Sequence, residues 1–235
     1  MASKDLTVPA AQPFNLVPYE PDEYMLPGEK LSPRNLHTFK VPSGTSGPFF
    51  TMPDGTPAKT LSAVILHASR SRTYWVTSME DGGGDNPPDC SSNDGIFGQG
   101  LYGTMMGEDG TPIVSNANPS GKCETCPMAQ FGSGKGNAQA CREGVRVLLL
   151  LDNDPLPAVL SVSPASIDAF FNYRMRVLRP LGIRPHETVT LISLVADKSK
   201  SGVAYFQVRF ELGDKLDDAS LAAVENMRAM FPSAS

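Results

Sequence analysis

The sequence predicts a mainly β fold of the α+β class, in which strands close or nearly close into a small barrel that carries an irregular insert. Three observations predict it. Apolar residues make up 40% of the 235 residues, which is enough to build a core. Strand-like runs lie on both sides of an aperiodic, glycine-rich stretch. The 21 glycines and 21 prolines exceed average usage and predict long loops.

The first strand is predicted at residues 61–69, which are rich in Ala, Val, Ile and Leu. Arg70, Ser71 and Arg72 are predicted to form a turn or kink. Residues 73–77 then favour a second strand, because aromatic and β-branched residues dominate. From residue 80 to 137 the periodicity ends and 13 glycines occur. A loop of that length inside a compact domain requires something else to order it.

Periodicity returns after the insert. The continuous apolar run at 145–151 predicts a buried strand, and a turn at 152–155 leads to another strand. Ser163 and Pro164 suit the start of a helix. Asp217 or Asp218 marks the start of the last helix. The remaining predicted elements are strands at 158–162, 188–196 and 203–212 and a C-terminal helix at 220–230.

These elements divide the chain into three regions. Residues 1–57 hold ten prolines and predict an extended arm. Residues 58–212 form the barrel domain, with its insert at about 80–142, and residues 213–235 form the C-terminal helix and tail. Six short strands with one internal helix suit a barrel of the oligonucleotide-binding type. An open α+β sheet is the alternative.

All four cysteines lie in or just after the insert. Cys123 and Cys126 form a CxxC turn whose two thiolates can reach one ion, and Cys90 and Cys141 supply a second pair. Four thiolates suit zinc and leave no open coordination position, so we expect a structural zinc ion. Such an ion would order a segment too polar to build its own core.

Other interpretations of the cysteines remain open to different degrees. Free buried thiols are the simplest alternative, while a disulfide is disfavoured because the start of the chain lacks a signal-peptide-length apolar stretch. A redox CxxC pair would need a βαβ setting. An iron–sulfur cluster also uses four cysteines and stays open. No catalytic motif is recognisable, so we expect no enzymatic activity.

The charge pattern allows a nucleic-acid-binding face despite a net charge of −5. Residues 59–72 carry three bases and no acid, whereas residues 73–120 carry seven acids and no base. A site for single strands needs cations along the phosphates and aromatic faces on which bases stack. The candidate residues are Lys59, Arg70, Arg72, Tyr74, Trp75, Lys135, Arg142, Arg146, Lys198, Lys200, Tyr205 and Arg209.

Several short motifs in the insert resemble a group of bacteriophage and mobile-element proteins. They are PPDCSSNDG at 87–95, CxxCP at 123–127, FGS at 131–133 and ACR at 140–142. The likeness runs from about Arg72 to Leu212 and extends to phage single-stranded-DNA-binding proteins. It implies an oligonucleotide-binding barrel with a zinc-bearing insert.

We therefore expect a sequence-tolerant protein that binds single-stranded DNA, with RNA left open, in the replication or recombination of a phage or mobile element. We expect a cytoplasmic location, in the host if the protein is phage-encoded, because no run reaches the length of a membrane span. The alternative is a zinc-stabilised scaffold whose acidic segments recruit replication or recombination proteins. The oligomeric state stays open.

Overall fold

A computed structural model describes residues 14–17, 19, 35–42, 44, 47–77, 87–107, 109–199 and 202–231. Most of the predicted N-terminal arm therefore lies outside the described residues. The described part is mainly β, which confirms the α+β class. Its strands are β1 (Thr38–Phe39), β2 (Phe50–Thr51), β3 (Pro57–Ala58), β4 (Thr60–Tyr74), β5 (Cys90–Ser92), β6 (Gln99–Gly100), β7 (Thr104–Met106), β8 (Pro112–Val114), β9 (Arg142–Leu151), β10 (Pro157–Val162), β11 (Thr188–Lys198) and β12 (Ala204–Lys215).

The large sheet is mixed and has β4 at its centre. The order across its main part is β12–β11–β4–β9–β10–β1, with antiparallel neighbours except for the parallel pair β10–β1. β4 is 15 residues long and pairs with β11 near its start, with β9 along most of its length and with β5 at its end. The strands predicted after the insert are confirmed because their apolar runs are buried.

The predicted turn at Arg70–Arg72 is wrong, as is a separate strand at 73–77. These residues continue β4 as far as Tyr74, because Arg70 pairs with Val145 and Arg72 pairs with Glu143. The irregularity lies earlier instead. A β-bulge at Leu66 separates the pairs Ile65–Leu149 and His67–Leu148.

The sheet is open in the described part of the chain. β1 and β12 stand at its two ends and do not pair with each other, so the strands form no closed barrel. The two ends do approach through the backbone after β1. A Cβ atom added to Gly44 would lie 1.9 Å from the carbonyl oxygen of Ala204, the first residue of β12. The open α+β sheet is thus the architecture formed.

A helical segment, residues 164–181, packs on one face of the sheet. It begins at Pro164, as predicted, and consists of a 3₁₀ turn, α1 (Ile167–Asn172), a π-helical turn (Tyr173–Leu178) and a second 3₁₀ turn. Ser163 makes no capping hydrogen bond with its side chain. Instead Ser166 Oγ accepts a hydrogen bond of 2.9 Å from the Val208 amide and ties the segment to β12.

The larger core lies between this segment and the sheet. Fully buried side chains from β4, β9 and the helical segment meet there, including Ile65, Leu149 and Phe170. Alternate residues of the last strand also enter it, because successive side chains of a strand point to opposite faces. Phe206, Val208 and Phe210 are the residues of this strand that are buried in the core.

The second core lies on the opposite face, beneath α2 (Asp218–Met230). Asp217 caps this helix through a hydrogen bond of 2.7 Å from the Ser220 amide, which confirms the predicted start. Arg228 Nε donates to the Leu66 carbonyl at 3.1 Å, so this helix supplies a hydrogen-bond donor to the backbone at the β-bulge. Across the described ranges, no helix has the length and apolar character required to cross a membrane.

The assigned core predicts that two leucines on the sheet differ in how much they contribute to the free energy of unfolding. Leu149→Ala removes a fully buried side chain from the larger core and should lower the free energy of unfolding by about 2–5 kcal/mol. Leu191→Ala, on the exposed side of β11, should change it by roughly 0.5 kcal/mol or less. Urea denaturation measures both, and equal losses would contradict the assigned core.

Candidate functional site

The four cysteines come from three separate segments and line one small cavity. Cys90 begins β5, Cys123 and Cys126 flank a turn, and Cys141 directly precedes β9. Each residue is only 6–7% exposed. All four are free thiols rather than disulfides. The cavity volume of about 10 Å³ corresponds to one water-sized sphere.

Backbone hydrogen bonds bring these segments together. The Cys126 amide donates to the Cys123 carbonyl at 3.3 Å and closes the predicted CxxC turn. The Cys123 amide donates to Ile96 at 2.8 Å, and the Cys141 amide donates to Met128 at 2.7 Å. Cys90 is held by strand pairing with Tyr74. In its described part, the insert thus gathers the thiols with one 3₁₀ turn (Pro127–Ala129) and with strands of only two or three residues.

The motif after Cys90 folds back on itself around Asp94. The Asp94 carboxylate accepts hydrogen bonds from Ser92 Oγ at 2.8 Å and from the Ile96 amide at 2.7 Å. Gly95 adopts a positive φ of 74°, a conformation that favours glycine. Gly98 packs against the sulfur of Cys90, where an added Cβ would lie 3.3 Å away. These contacts explain the serine, aspartate and glycine of the motif in physical terms.

Arg72 shares the cavity with the cysteines. Its side chain is only 15% exposed, and its Nη2 lies 3.6 Å from Glu143 Oε2. Its Nη1 is buried and has no hydrogen-bond partner among the described residues. A buried guanidinium nitrogen without an acceptor is costly. A thiolate in the cavity is the kind of acceptor that would satisfy it.

The ionisation of the thiols depends on what occupies the cavity. Burial raises the pKa values of Cys90 and Cys123 and raises that of Cys141 to about 11, while the charge of Arg72 acts in the opposite direction on Cys123 and Cys141. The thiols of Cys90, Cys123 and Cys141 are therefore protonated at neutral pH unless a cation displaces the protons. Soft cations such as zinc do this, because thiolate is their preferred ligand.

Four thiols are ligands that suit a soft metal ion, but their present arrangement does not form a metal-binding group. In the part of the chain that the structure describes, no three Cys, His, Asp or Glu side chains meet the geometry required to hold a metal ion. Ligation therefore requires the four thiols to rotate toward one another within their shared cavity. Their convergence, their burial and the unpaired Arg72 nitrogen are the observations that favour such ligation.

The strand register separates the predicted cations of β4 and β9. Arg70 pairs with Val145 and points toward the helical segment, whose residues share a cavity with it. Arg146 pairs with Ser69, and Arg142 pairs with Thr73. Because neighbouring residues of a strand alternate in direction, Arg142 and Arg146 lie on the opposite face from Arg70.

The predicted residues of the β11–β12 hairpin form a third group. Tyr205 Oη donates to Asp197 at 2.7 Å, and Arg209 lies 3.0 Å from Glu211. Lys198 is exposed at the end of β11, and Lys200 lies outside the described residues. The hairpin pairs with β4 only near Thr60, and twelve residues of β4, roughly 40 Å of strand at about 3.3 Å each, separate Thr60 from Arg72.

The remaining candidates lie apart from these groups. Lys59 is exposed, with its Nζ 5.9 Å from the centre of the Phe49 ring. Trp75 is half-buried just after β4, and Tyr74 packs edge-on against Tyr102 with ring centres 5.3 Å apart. Lys135 is exposed in a turn of the insert. The eleven predicted residues that the structure describes thus occupy several surfaces rather than one groove.

Sequence reasoning missed a cluster of arginines on the helical segment and just after it. Arg174, Arg176, Arg179 and Arg184 occur within eleven residues that contain no acid. That local excess of positive charge was visible in the sequence, but it was assigned to an ordinary helix. The segment contributes arginines to cavities on both of its sides, because residues two apart on a helix point in nearly opposite directions.

Two cavities flank the helical segment. The first, with a volume of about 220 Å³, lies against β4 and β9, and we call it the Arg174 pocket. The second, of about 400 Å³ and more open, lies against β11 and β12 and includes Arg176, Gln207 and Arg209. The Arg174 pocket is lined by Ala68, Ser69, Arg70, Glu143, Val145, Ile167, Phe170, Phe171 and Arg174.

Comparison with known proteins returned no match: no family model, no curated protein and no solved structure is similar to this chain. The functional argument therefore depends on the chain's own residues and geometry.

The raised thiol pKa values predict how stability depends on pH in the metal-free protein. The folded chain holds the Cys141 proton up to about pH 11, whereas an unfolded chain releases it near an ordinary pKa of about 8.5. In chelator, the free energy of unfolding should therefore fall as pH rises from about 8.5 to 11. Cys141→Ser should show a shallower fall by urea denaturation, and identical slopes would contradict the assignment.

Proposed function

We propose that this protein is a non-enzymatic, single-stranded nucleic-acid-binding protein whose insert is ordered by one structural zinc ion. The observation that carries the proposal is the convergence of four buried cysteines from three segments on a single cavity. Cys90, Cys123, Cys126 and Cys141 hold the ion. Its role is structural, because four thiolates complete the coordination that zinc prefers in structural sites.

Arg72 supports this assignment of the metal. Four thiolates around a divalent cation carry a net charge of −2, and burying such a group requires compensation. Arg72 supplies a positive charge inside the cavity, and its buried Nη1 has no acceptor among the residues that the structure describes. A donor placed next to metal-bound sulfur is the usual outer-shell arrangement of such centres. Arg72 thus acts in the zinc centre rather than on nucleic acid.

The cation-rich helical segment supports the nucleic-acid partner. Arg174 and Arg176 line two cavities, and the ring of Phe171, which is 49% exposed, lines the first of them. Cations with neighbouring aromatic faces are what sequence-tolerant recognition of single strands requires. The net charge of −5 does not oppose this, because binding depends on one local basic surface.

We interpret the fold as an open variant of an oligonucleotide-binding scaffold. A mixed, mostly antiparallel sheet carries one helical segment over its core, and β1 and β12 end the main part of that sheet. The resemblance of the insert motifs to phage and mobile-element proteins extends the proposal to replication or recombination of such elements. Single-stranded DNA is the proposed ligand, and RNA is the comparison.

A second candidate function is docking of a protein partner on the insert. The β7–β8 hairpin exposes several apolar side chains, among them Met106 at 69% and Ile113 at 51%. The surrounding segment, residues 73–120, carries seven acids and no base. An exposed apolar patch with an acidic surround fits a basic protein partner, as in the scaffold interpretation.

The first test concerns the metal. Elemental analysis of purified protein should give one zinc and no iron per chain. Cys123→Ser should lower the zinc content by at least about tenfold and make the insert sensitive to protease, because metal binding and local folding are coupled. Asn116→Ala, a change at an exposed position of the insert that leaves the thiols intact, is the matched control. Full zinc content in Cys123→Ser would refute the site.

The second test concerns nucleic acid. A labelled oligothymidine should bind at about 50 mM salt, and raising the salt to about 200 mM should lower the affinity roughly twentyfold if three phosphates are contacted. Fluorescence anisotropy measures this, with single-stranded RNA and a duplex as comparisons. Failure of the oligothymidine to bind at low salt would overturn the nucleic-acid proposal and favour the protein-docking function.

A further inference from the structure

We propose that the Arg174 pocket holds one nucleotide unit of the bound strand, with its phosphate on Arg174 and Arg70 and its base against Phe171. The inference rests on the proposed function and names the place where contact is made. Of these three residues, only Arg70 is predicted from the sequence to contact nucleic acid. The pocket is distinct from the proposed zinc centre.

Arg174 carries the strongest indication that the pocket takes an anion. Its Nε is buried and has no hydrogen-bond partner among the described residues. Its guanidinium carbon lies 4.6 Å from the centre of the Phe170 ring, a distance at which a cation–π contact helps to position the group. Burial lowers the pKa of Arg174, yet arginine remains charged at neutral pH. A positioned cation with an unused donor is a binding element for phosphate or carboxylate.

The charges around the pocket favour phosphate. Arg70 and Arg174 are its cations, and Glu143 is its only acidic residue among the described lining. Glu143 lies 3.5 Å from Arg70 and 3.6 Å from Arg72, so it is shared between them. Arg70 is 76% exposed and can turn toward a ligand without burying itself further. An anion at Arg174 would therefore leave the pocket close to neutral.

Phe171 and the apolar lining identify the rest of the ligand. Phe171 is 49% exposed at the pocket, and Ile167 and Val145 contribute apolar surface beside it. An exposed aromatic ring next to two arginines suits a flat heterocycle joined to a phosphate. The second cavity lacks this combination, because its Arg209 is already paired with Glu211 at 3.0 Å and no aromatic ring as exposed as Phe171 lines it in the described residues.

The test compares three variants in the oligothymidine assay. Arg174→Gln should weaken binding about tenfold and reduce the salt slope by about 0.7, the contribution of one phosphate on a single strand. Phe171→Ala should weaken binding at least about fivefold, the loss expected for one stacked base, with the salt slope unchanged. Lys215→Gln removes one exposed charge outside both cavities and should stay within about twofold.

A second readout does not depend on how well Arg174→Gln folds. Phe171→Trp should show stronger quenching of tryptophan emission on oligothymidine binding than the wild type, whose single tryptophan is Trp75, because a stacked base quenches an indole. Thermal melting with inorganic phosphate separates a nucleotide site from a free-phosphate site. If phosphate stabilises the wild type but not Arg174→Gln while oligothymidine affinity is unchanged in Arg174→Gln, the nucleotide assignment is wrong.

The outcomes distinguish this inference from the proposed function. If the wild type does not bind at low salt, both fail. Suppose that the wild type binds, that Arg174→Gln and Phe171→Ala bind as tightly as Lys215→Gln, and that Phe171→Trp shows no more quenching than the wild type. The pocket is then not the contact with nucleic acid, while the proposed function stands. Loss of affinity in both variants together with quenching supports the pocket.

Discussion

The arrangement of the insert depends on the meeting of four thiols in one cavity. Its strands are two or three residues long, and its apolar cluster consists only of Cys126, Ala129 and Cys141 with a few partly buried neighbours. So small a core cannot offset the conformational entropy lost when about fifty residues become ordered. Under the proposed function, a metal ion bound by the thiolates would supply the missing free energy at the point where the three segments converge.

Much of the fold could be predicted from the sequence because its signals are local. Continuous apolar runs indicate β9 and β11, and Asp217 begins α2 as an N-cap residue. The path of β4 could not be predicted in the same way. The polar residues from Arg70 to Arg72 resemble a turn, but β9 continues beside them and supplies hydrogen bonds that a single-strand pattern does not reveal. The openness of the sheet likewise depends on pairing between distant strands.

The candidate site divides along the same line. The spacing of the cysteines predicts that they lie together. The face on which each basic residue lies depends instead on strand register and on one β-bulge, which the sequence does not reveal. Leu66 adds a single residue to β4, which sets Arg70 toward the helical segment, whereas Arg146 of β9 lies on the other face. The sequence predicts that Arg72 contacts phosphate, but it lies among the thiols. The sequence pattern does not indicate that Arg174 lines a cavity; the structure does.

The most direct measurement of the central claim is zinc-edge X-ray absorption on the purified chain. The account predicts four sulfur neighbours at about 2.3 Å from the zinc and no nitrogen or oxygen ligand. Absence of zinc, or a spectrum dominated by nitrogen and oxygen neighbours, would contradict the thiolate centre and with it the explanation of how the insert is ordered.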